Sequence, residues 1–504
     1  MRIVRNLFKW RFLILIYFVA LLPRLFLIGR AGIYSDEITW MVRGKEVVYG
    51  MIHRNSNYFE KAWWNKQNDT EAIGLPLVAT SGMSYVFLAG DGKISLKLLP
   101  EIVAARLPVA IISAFLPLVI LFFGIRFFSF DVGLIAALIY AFNPVALGLD
   151  RWVVHDSFLT VFSFFSLSFF LVAGKRQKIS ILPGFFLALA FMTKPNGILP
   201  LLGWVVFWLF NFKSKRVFNL FWVNVVTFFV MITVFWPASW WSPIFAFFEY
   251  MYRQINLVQG GMRNFYLGEV TNNPGWTYYF FQLGTKLPEV TIIGTVYGLC
   301  LSIYRFKTLK KLRNFDVLVA AGSYWLMFMI IITFSPKKLG VRYALPLFPW
   351  IALLSAYGLD KMIKVVKPAV GKVILILLGI ISLIYPISFV PDYYQYYNVF
   401  VGGPRGAQKY DLVGFCASSK PAFEFLNKID FQGKVYVAGC ADPVSYYSTK
   451  IAVVHDFREA DLVVVETYLR SQHPEDLVFS FLEGKTPDKQ FKNHGAVMVE
   501  IFEN

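Results

Sequence analysis

The sequence predicts a mainly α-helical, polytopic membrane protein, with a bundle of about eleven spans followed by a small α/β domain. Three observations predict it. Of the 504 residues, 57% are hydrophobic and only 16% charged, where a soluble domain carries about 45–50% and about 25%. The apolar residues are gathered into runs near the roughly 20 residues that cross a hydrocarbon core. The basic residues fall in short clusters between those runs, on one side of the path the chain must take.

The runs lie near 12–29, 103–125, 131–148, 157–173, 180–194, 197–212, 217–236, 289–304, 315–334, 343–360 and 372–390. The first follows a basic start, as in a signal peptide. It lacks an A-x-A-like cleavage site and continues through Leu27–Ile28, so it reads as a retained span. The 180–212 stretch reads as a helical hairpin interrupted at Lys194–Pro195. With the N-terminus placed in the cytoplasm, the basic runs all fall inside. They are Arg2, Arg5, Lys9 and Arg11; Lys175, Arg176 and Lys178; Lys213, Lys215 and Arg216; Arg305, Lys307, Lys310, Lys311 and Arg313; and Lys361, Lys364, Lys367 and Lys372. With Arg126, and with Asp131 and Asp360 as the chief acids in the same loops, they account for the net charge of +18. The basicity is therefore a topology signal and not a surface for nucleic acid. The expectation is a multi-pass protein of the plasma membrane.

Residues 1–400 then form the membrane domain, with two long outward loops at 30–102 and 237–288. The first loop holds mixed segments such as Tyr58–Trp64 and a Gly-rich apolar stretch, Ile73–Leu88, expected to form interfacial helices along the membrane. The second is rich in aromatics, among them Trp240, Trp241, Tyr266, Trp276 and Tyr278, as an interface belt or a sugar-stacking surface would be. Residues 401–504 read as an extracytoplasmic α/β domain. Ser419–Lys428 has helical spacing, and Lys434–Ala438, Ile451–Val454, Asp461–Glu466 and Val497–Phe502 are strand-like. Cys416 and Cys440 lie there, as a disulfide or as two buried thiols, and Cys300 lies in a span.

Three charged groups share the outward face under this threading. Asp36–Glu37 follows the first span; adjacent carboxylates there suit a general base or the orientation of a hydroxyl. Asp156, with His155 and Arg151 before it, opens the fourth span, where an acid is costly unless paired or useful. Lys337, Lys338 and Arg342 crowd a short outward loop against the positive-inside bias, as a phosphate site would require. The blander readings are a solvated loop, a helix N-terminal acid and a lipid-headgroup contact. His53, His155, His455, His473 and His494 show no metal-ligand spacing, and nothing supports a divalent metal or another cofactor. There is no Walker loop, dinucleotide fingerprint or nucleophile elbow.

Ordered motifs add a resemblance. Asp36–Glu37 after the first span, Arg106-Leu107-Pro108, Asn143-Pro144, Arg151 to Asp156, Thr193-Lys194-Pro195, Phe265-Tyr266-Leu267-Gly268, Lys286-Leu287-Pro288, Lys337-Lys338 to Arg342-Tyr343, and Tyr397-Asn398 with Gly402-Gly403 occur in sequence. Over most of the chain to about 430, this order resembles the GT-C glycosyltransferases that use polyprenyl- or dolichyl-phosphate sugars. The nearest branches are the protein O-mannosyltransferases and the lipid A aminoarabinose transferases. One departure is Gly74-Leu75-Pro76, where a His-Pro-Pro-like motif is usual.

The resemblance implies roles. Asp36 would be the general base, and Glu37 and Asp156 would support it or position the acceptor. Lys337, Lys338 and Arg342 would hold the donor phosphate as it leaves. Arg151, His155, Lys194 and Tyr343 are further candidate substrate contacts. The implied reaction is inverting transfer of a sugar from the lipid phosphate to a hydroxyl of a protein, lipid or glycan acceptor. The implied partners are membrane lipids, the lipid-phosphate sugar and that acceptor, without nucleic acid. The alternative is a transporter or flippase of a lipid-linked or anionic substrate. That reading calls for inverted repeats and a mid-membrane ionisable residue, which the sequence does not show.

Overall fold

The structure, a computed structural model, describes residues 2–53, 73–90, 95–236, 239–240, 242–309, 314–365, 368–414 and 417–504. The Tyr58–Trp64 segment, Trp241, Lys310, Lys311, Arg313, Lys367 and Cys416 lie outside the described residues.

Every apolar run falls on helix. Five are by themselves long and apolar enough to cross a membrane: Arg11–Arg30, Glu101–Phe127, His155–Arg176, Lys215–Phe235 and Phe315–Phe334. Pro368–Ile387 and Phe348–Val365 run to 20 and 18 residues, whereas Pro and Asn break the runs at 131–148 and 180–212. Asn143 caps Pro144–Leu149 by accepting from Ala146 N at 3.0 Å, which separates that turn from Phe130–Ala141. Leu182–Thr193 ends at Lys194, held extended (φ −153°, ψ 148°) by the following Pro195, and the chain re-enters helix at Pro200–Phe210.

The layers sort by what each helix faces. His155–Arg176 is 94% buried and forms the axis of the bundle. With no lipid face it can carry Ser157, Ser163, Ser166 and Ser168 inward. Lys215–Phe235 lies outside, with Phe218, Trp222, Val226, Phe229 and Val234 exposed along one side. A surface of that kind is stable only against lipid. Glu289–Tyr304 packs closely on Phe348–Val365, with Gly294 and Gly298 set against Ser355 and Gly358; a Cβ on Gly358 would lie 2.0 Å from Gly294 O.

The first long loop forms two helices, Ser35–His53 and Leu75–Leu88, that cross at Gly44 and Gly82. Gly82 in the second stretch thus serves close helix packing. The other loop forms Pro243–Gln259, a hairpin of β1 (Asn264–Tyr266) and β2 (Glu269–Thr271), and helix Tyr278–Lys286. Ile244, Phe245, Phe248, Tyr252 and Ile255 leave an apolar stripe of the first helix uncovered.

The C-terminal part builds a five-stranded mixed sheet from β3 (Lys434–Ala438), β4 (Ala452–Val454), β5 (Leu462–Glu466), β6 (Lys489–Asn493) and β7 (Ala496–Glu503), in the order β4-β3-β5-β7-β6. The first three pair in parallel and the last two add antiparallel. Every residue of β5 is buried, as suits the central strand. Cys440 is in a disulfide and Cys300 is a free thiol.

Candidate active site

Asp36 and Glu37 open the helix Ser35–His53 and point into different surroundings. Glu37 is fully buried. Arg106 clamps it bidentately, with Nε to Oε1 and Nη2 to Oε2 both at 2.7 Å, and Val153 N donates to Oε1 at 2.9 Å. The same guanidinium donates to the carbonyls of Ile28 and Gly32. Asp36 is about half exposed, and only its Oδ2 is engaged among the described residues, by Arg342 Nη1 and Nη2 at 3.3 Å.

Arg342 is the hub of the site. It sits in the tight turn Gly340–Leu347 that enters the helix Phe348–Val365. Its Nη1 donates to Tyr34 Oη at 2.7 Å, and its Nε lies 4.0 Å from Asp156 Oδ2. Asp156, buried at the start of His155–Arg176, accepts from Lys194 Nζ at 2.5 Å. The helix break before Pro195 is what delivers that lysine. Tyr343 lies under both cations, with Lys194 Nζ 4.6 Å and Arg342 Cζ 5.6 Å from its ring centre. Lys337 faces the same group. Its own burial lowers its pKa, as does Arg342, while Asp36 opposes and Lys194 adds to the lowering.

His155 is buried edge-on to Trp40, with ring centres 4.0 Å apart. Its other side meets Gly74, where a Cβ would come within 2.5 Å of the imidazole, and Gly74 has φ +82°. Glycine at the departure from the family motif therefore makes room for His155, and Leu75–Leu88 begins at the site wall. Among the described residues, His155 Nε2 and Arg342 Nε are buried without a hydrogen-bond partner. Arg342 Nε keeps only the 4.0 Å charge contact with Asp156 Oδ2, so it retains an unused donor at the site.

The fold thus brings together Asp36, Asp156, Lys194, Lys337, Arg342, Tyr343 and His155. It separates three other candidates. Lys338 is buried and donates to Ser335 O at 3.3 Å, within its own loop. Arg151 is fully buried and donates to Phe26 O at 2.8 Å and Pro391 O at 3.0 Å, tying two loops together. Glu37 is held by Arg106 as described. Tyr34 was not singled out by the sequence. Its position two residues before Asp36 was the only signal, and it stacks on Trp152 at 5.4 Å while holding Arg342.

A polar cavity adjoins Arg342, walled by Asn264, Tyr278, Lys286, Tyr394 and Asp411. Lys286 Nζ donates to Tyr394 O at 2.9 Å and lies 3.5 Å from the Tyr397 ring centre. Burial pushes this ammonium down to about 7, against the pull of Asp411. Burial also raises the Asp411 carboxyl, which Lys286, Tyr397 and Gln282 oppose.

A family model described as dolichyl-phosphate-mannose-protein mannosyltransferase matches residues 93–241, the stretch that carries Arg106, Asp156 and Lys194. No curated protein matches in sequence. Among solved structures, ArnT from Cupriavidus metallidurans bound to undecaprenyl phosphate is similar at TM-score 0.53 and 13% identity, over 97% of this chain and 98% of that one. Its apo state gives TM-score 0.51 at 14% identity, over 98% of each chain. The apo oligosaccharyltransferase of Archaeoglobus fulgidus gives 0.50 at 13% identity, over 90% of this chain and 66% of that one. The chain therefore shares the fold of the ArnT structures over nearly its whole length, and residues 93–241 match the dolichyl-phosphate-mannose-protein mannosyltransferase model.

Proposed function

We propose that the protein is a membrane glycosyltransferase that moves a sugar from a polyprenyl- or dolichyl-phosphate carrier to an acceptor hydroxyl, with inversion. The observation that carries this reading is Arg342, a guanidinium set between Asp36 and Asp156 with its buried Nε unmet. The group of Asp36, Asp156, Arg342, Lys194 and Lys337 holds more cations than acids, as a site for a lipid phosphate needs. The family model and the ArnT structure, which holds undecaprenyl phosphate, support the same donor class.

In this reading Arg342 Nε and Lys337 hold the donor phosphate. The bond between the anomeric carbon and the phosphate oxygen breaks, and negative charge gathers on the phosphate. Fixed cations in a water-poor site stabilise that charge more in the transition state than in the ground state. Asp36, half exposed, takes the proton of the acceptor hydroxyl as the oxygen attacks from the face opposite the phosphate. Asp156 anchors Lys194 and keeps Arg342 oriented. Glu37 braces the loop through Arg106. The site faces the extracytoplasmic side, with the C-terminal domain beside it.

The transporter reading finds less support. Among the described residues, the buried ion pairs Arg24–Asp150, Glu37–Arg106 and Asp156–Lys194 sit near helix ends, and none marks a mid-membrane path. The test is to incubate purified protein with a panel of polyprenyl-phosphate sugars and simple acceptors, and to follow the lipids by mass spectrometry. Release of polyprenyl phosphate with one of them is expected; an unconsumed panel would remove the reading.

A further inference from the structure

The segment that leads into Asp36 is gripped from two sides. From the membrane bundle, Arg106 Nη1 donates to Ile28 O at 2.7 Å, and Arg106 Nη2 and Trp152 Nε1 each donate to Gly32 O at 2.9 Å. From the C-terminal part of the chain, Asp392 Oδ1 accepts from Gly32 N at 2.8 Å, and Tyr447 Oη accepts from Ile33 N at 2.7 Å. Lys420 Nζ donates to Arg30 O at 2.6 Å. Gly32 is pressed against the same part: a Cβ there would lie 2.0 Å from Ala417 O. Ile33 and Tyr34 are buried, so water cannot replace a lost partner.

What this grip sets is the site itself. Tyr34 follows Ile33, and its hydroxyl accepts from Arg342. Tyr34 O accepts from Glu37 N at 2.9 Å, closing the turn that carries Asp36. A shift of the Ile33 backbone therefore moves the proposed base and the proposed phosphate clamp relative to each other. Tyr447 lies on the short helix Val444–Tyr447, between β3 and β4 of the C-terminal sheet, far from Asp36 in sequence.

We propose that Tyr447 and Lys420 are positioning residues for Asp36 and Arg342, so that the C-terminal domain is a working part of the transfer site. The inference rests on the reading of Asp36 as the base. Tyr447→Phe removes the acceptor for Ile33 N and keeps the ring that stacks on Phe423. The expected result is a kcat lowered about tenfold, since small misplacements of reacting groups carry losses of that order and more. Binding of sugar-free polyprenyl phosphate should hardly change, and the unfolding midpoint should fall only modestly, as for one buried N–H left without its acceptor. Lys420→Met should act in the same direction, and Arg458→Ala, on the far surface of the same domain, should leave kcat alone.

A readout independent of turnover is amide hydrogen exchange in peptides covering residues 30–37 and 101–113. Tyr447→Phe should speed exchange in the first and not in the second. Unchanged exchange in 30–37, or an unchanged kcat per molecule that binds polyprenyl phosphate, would overturn the positioning role. If wild type transfers no sugar while exchange in 30–37 still quickens, the function reading fails and the grip stands.

Discussion

At the scale of single residues, the neighbouring carboxylates of Asp36 and Glu37 sit in different surroundings. Glu37→Gln would leave the Arg106 charge buried without its counter-ion, and breaking such a pair costs about 3–5 kcal/mol. The unfolding midpoint in detergent should drop markedly. Asp36→Asn removes a half-exposed group with long contacts and should leave that midpoint nearly unchanged. Equal losses would contradict the division of labour. The sequence placed both acids at the mouth of the first span, because helix ends and loops are legible there. It could not separate them, because the deciding partner, Arg106, is 69 residues away in the chain. Lys337 and Lys338 repeat the point: neighbours in one basic motif, one close enough to Asp36 and Arg342 to feel their charge and the other turned to its own loop.

Lys337 also sets a pH dependence. Its depressed pKa means that it loses its charge below the range of an ordinary lysine. A lysine that must be charged to hold phosphate supports binding below its pKa and ceases to do so above it. Affinity for polyprenyl phosphate should therefore weaken at a lower pH than an ordinary lysine would allow. Lys337→Arg should carry the affinity to higher pH, since a guanidinium stays charged there. Titration of binding between neutral and alkaline pH checks this; superimposable profiles for the two proteins would remove Lys337 from the site.

At the scale of elements, the informative breaks were visible in the residues. The Lys194–Pro195 interruption was legible because Pro forbids helix just before it, and it is the break that puts Lys194 on Asp156. The helix at Leu75–Leu88 was harder to read. Its glycines look like breakers until Gly82 is seen to meet Gly44 across a helix crossing. The Gly294–Gly298 spacing on Glu289–Tyr304 carries the same small-residue logic. Gly298→Leu would drive a side chain into Leu354 O, 2.5 Å from the Cβ position. Overpacking of this kind typically costs about 1–3 kcal/mol. The variant should unfold at lower temperature, while Gly322→Leu, with open space at its Cβ, should not.

At the scale of the whole molecule, hydropathy and charge carried the sequence to a helical membrane bundle, and every predicted run is helical. The strand-like runs at 434–438 and 461–466 coincide with β3 and β5, since a central strand is apolar along its length. β6 was missed, because an edge strand reading Lys489-Gln490-Phe491-Lys492-Asn493 has little apolar content to announce it. What the sequence could place only on one face, the structure brings into contact: the segments of Asp36, Asp156, Lys194 and Arg342. The orientation of that site is testable. With Cys300 replaced by Ser, single cysteines at the exposed positions Thr39 and Pro336 should react with an impermeant reagent added outside intact cells. Labelling only after the membrane is opened would invert the topology.

If Asp36 takes the proton of the acceptor hydroxyl while Arg342 holds the donor, single-turnover transfer from a polyprenyl-phosphate sugar to an added acceptor isolates its part. Wild type and Asp36→Asn are loaded to equal occupancy with the donor before the acceptor is added. Asp36→Asn should bind the donor, keep its fold and release almost no polyprenyl phosphate. Release at the wild-type rate would overturn the base assignment.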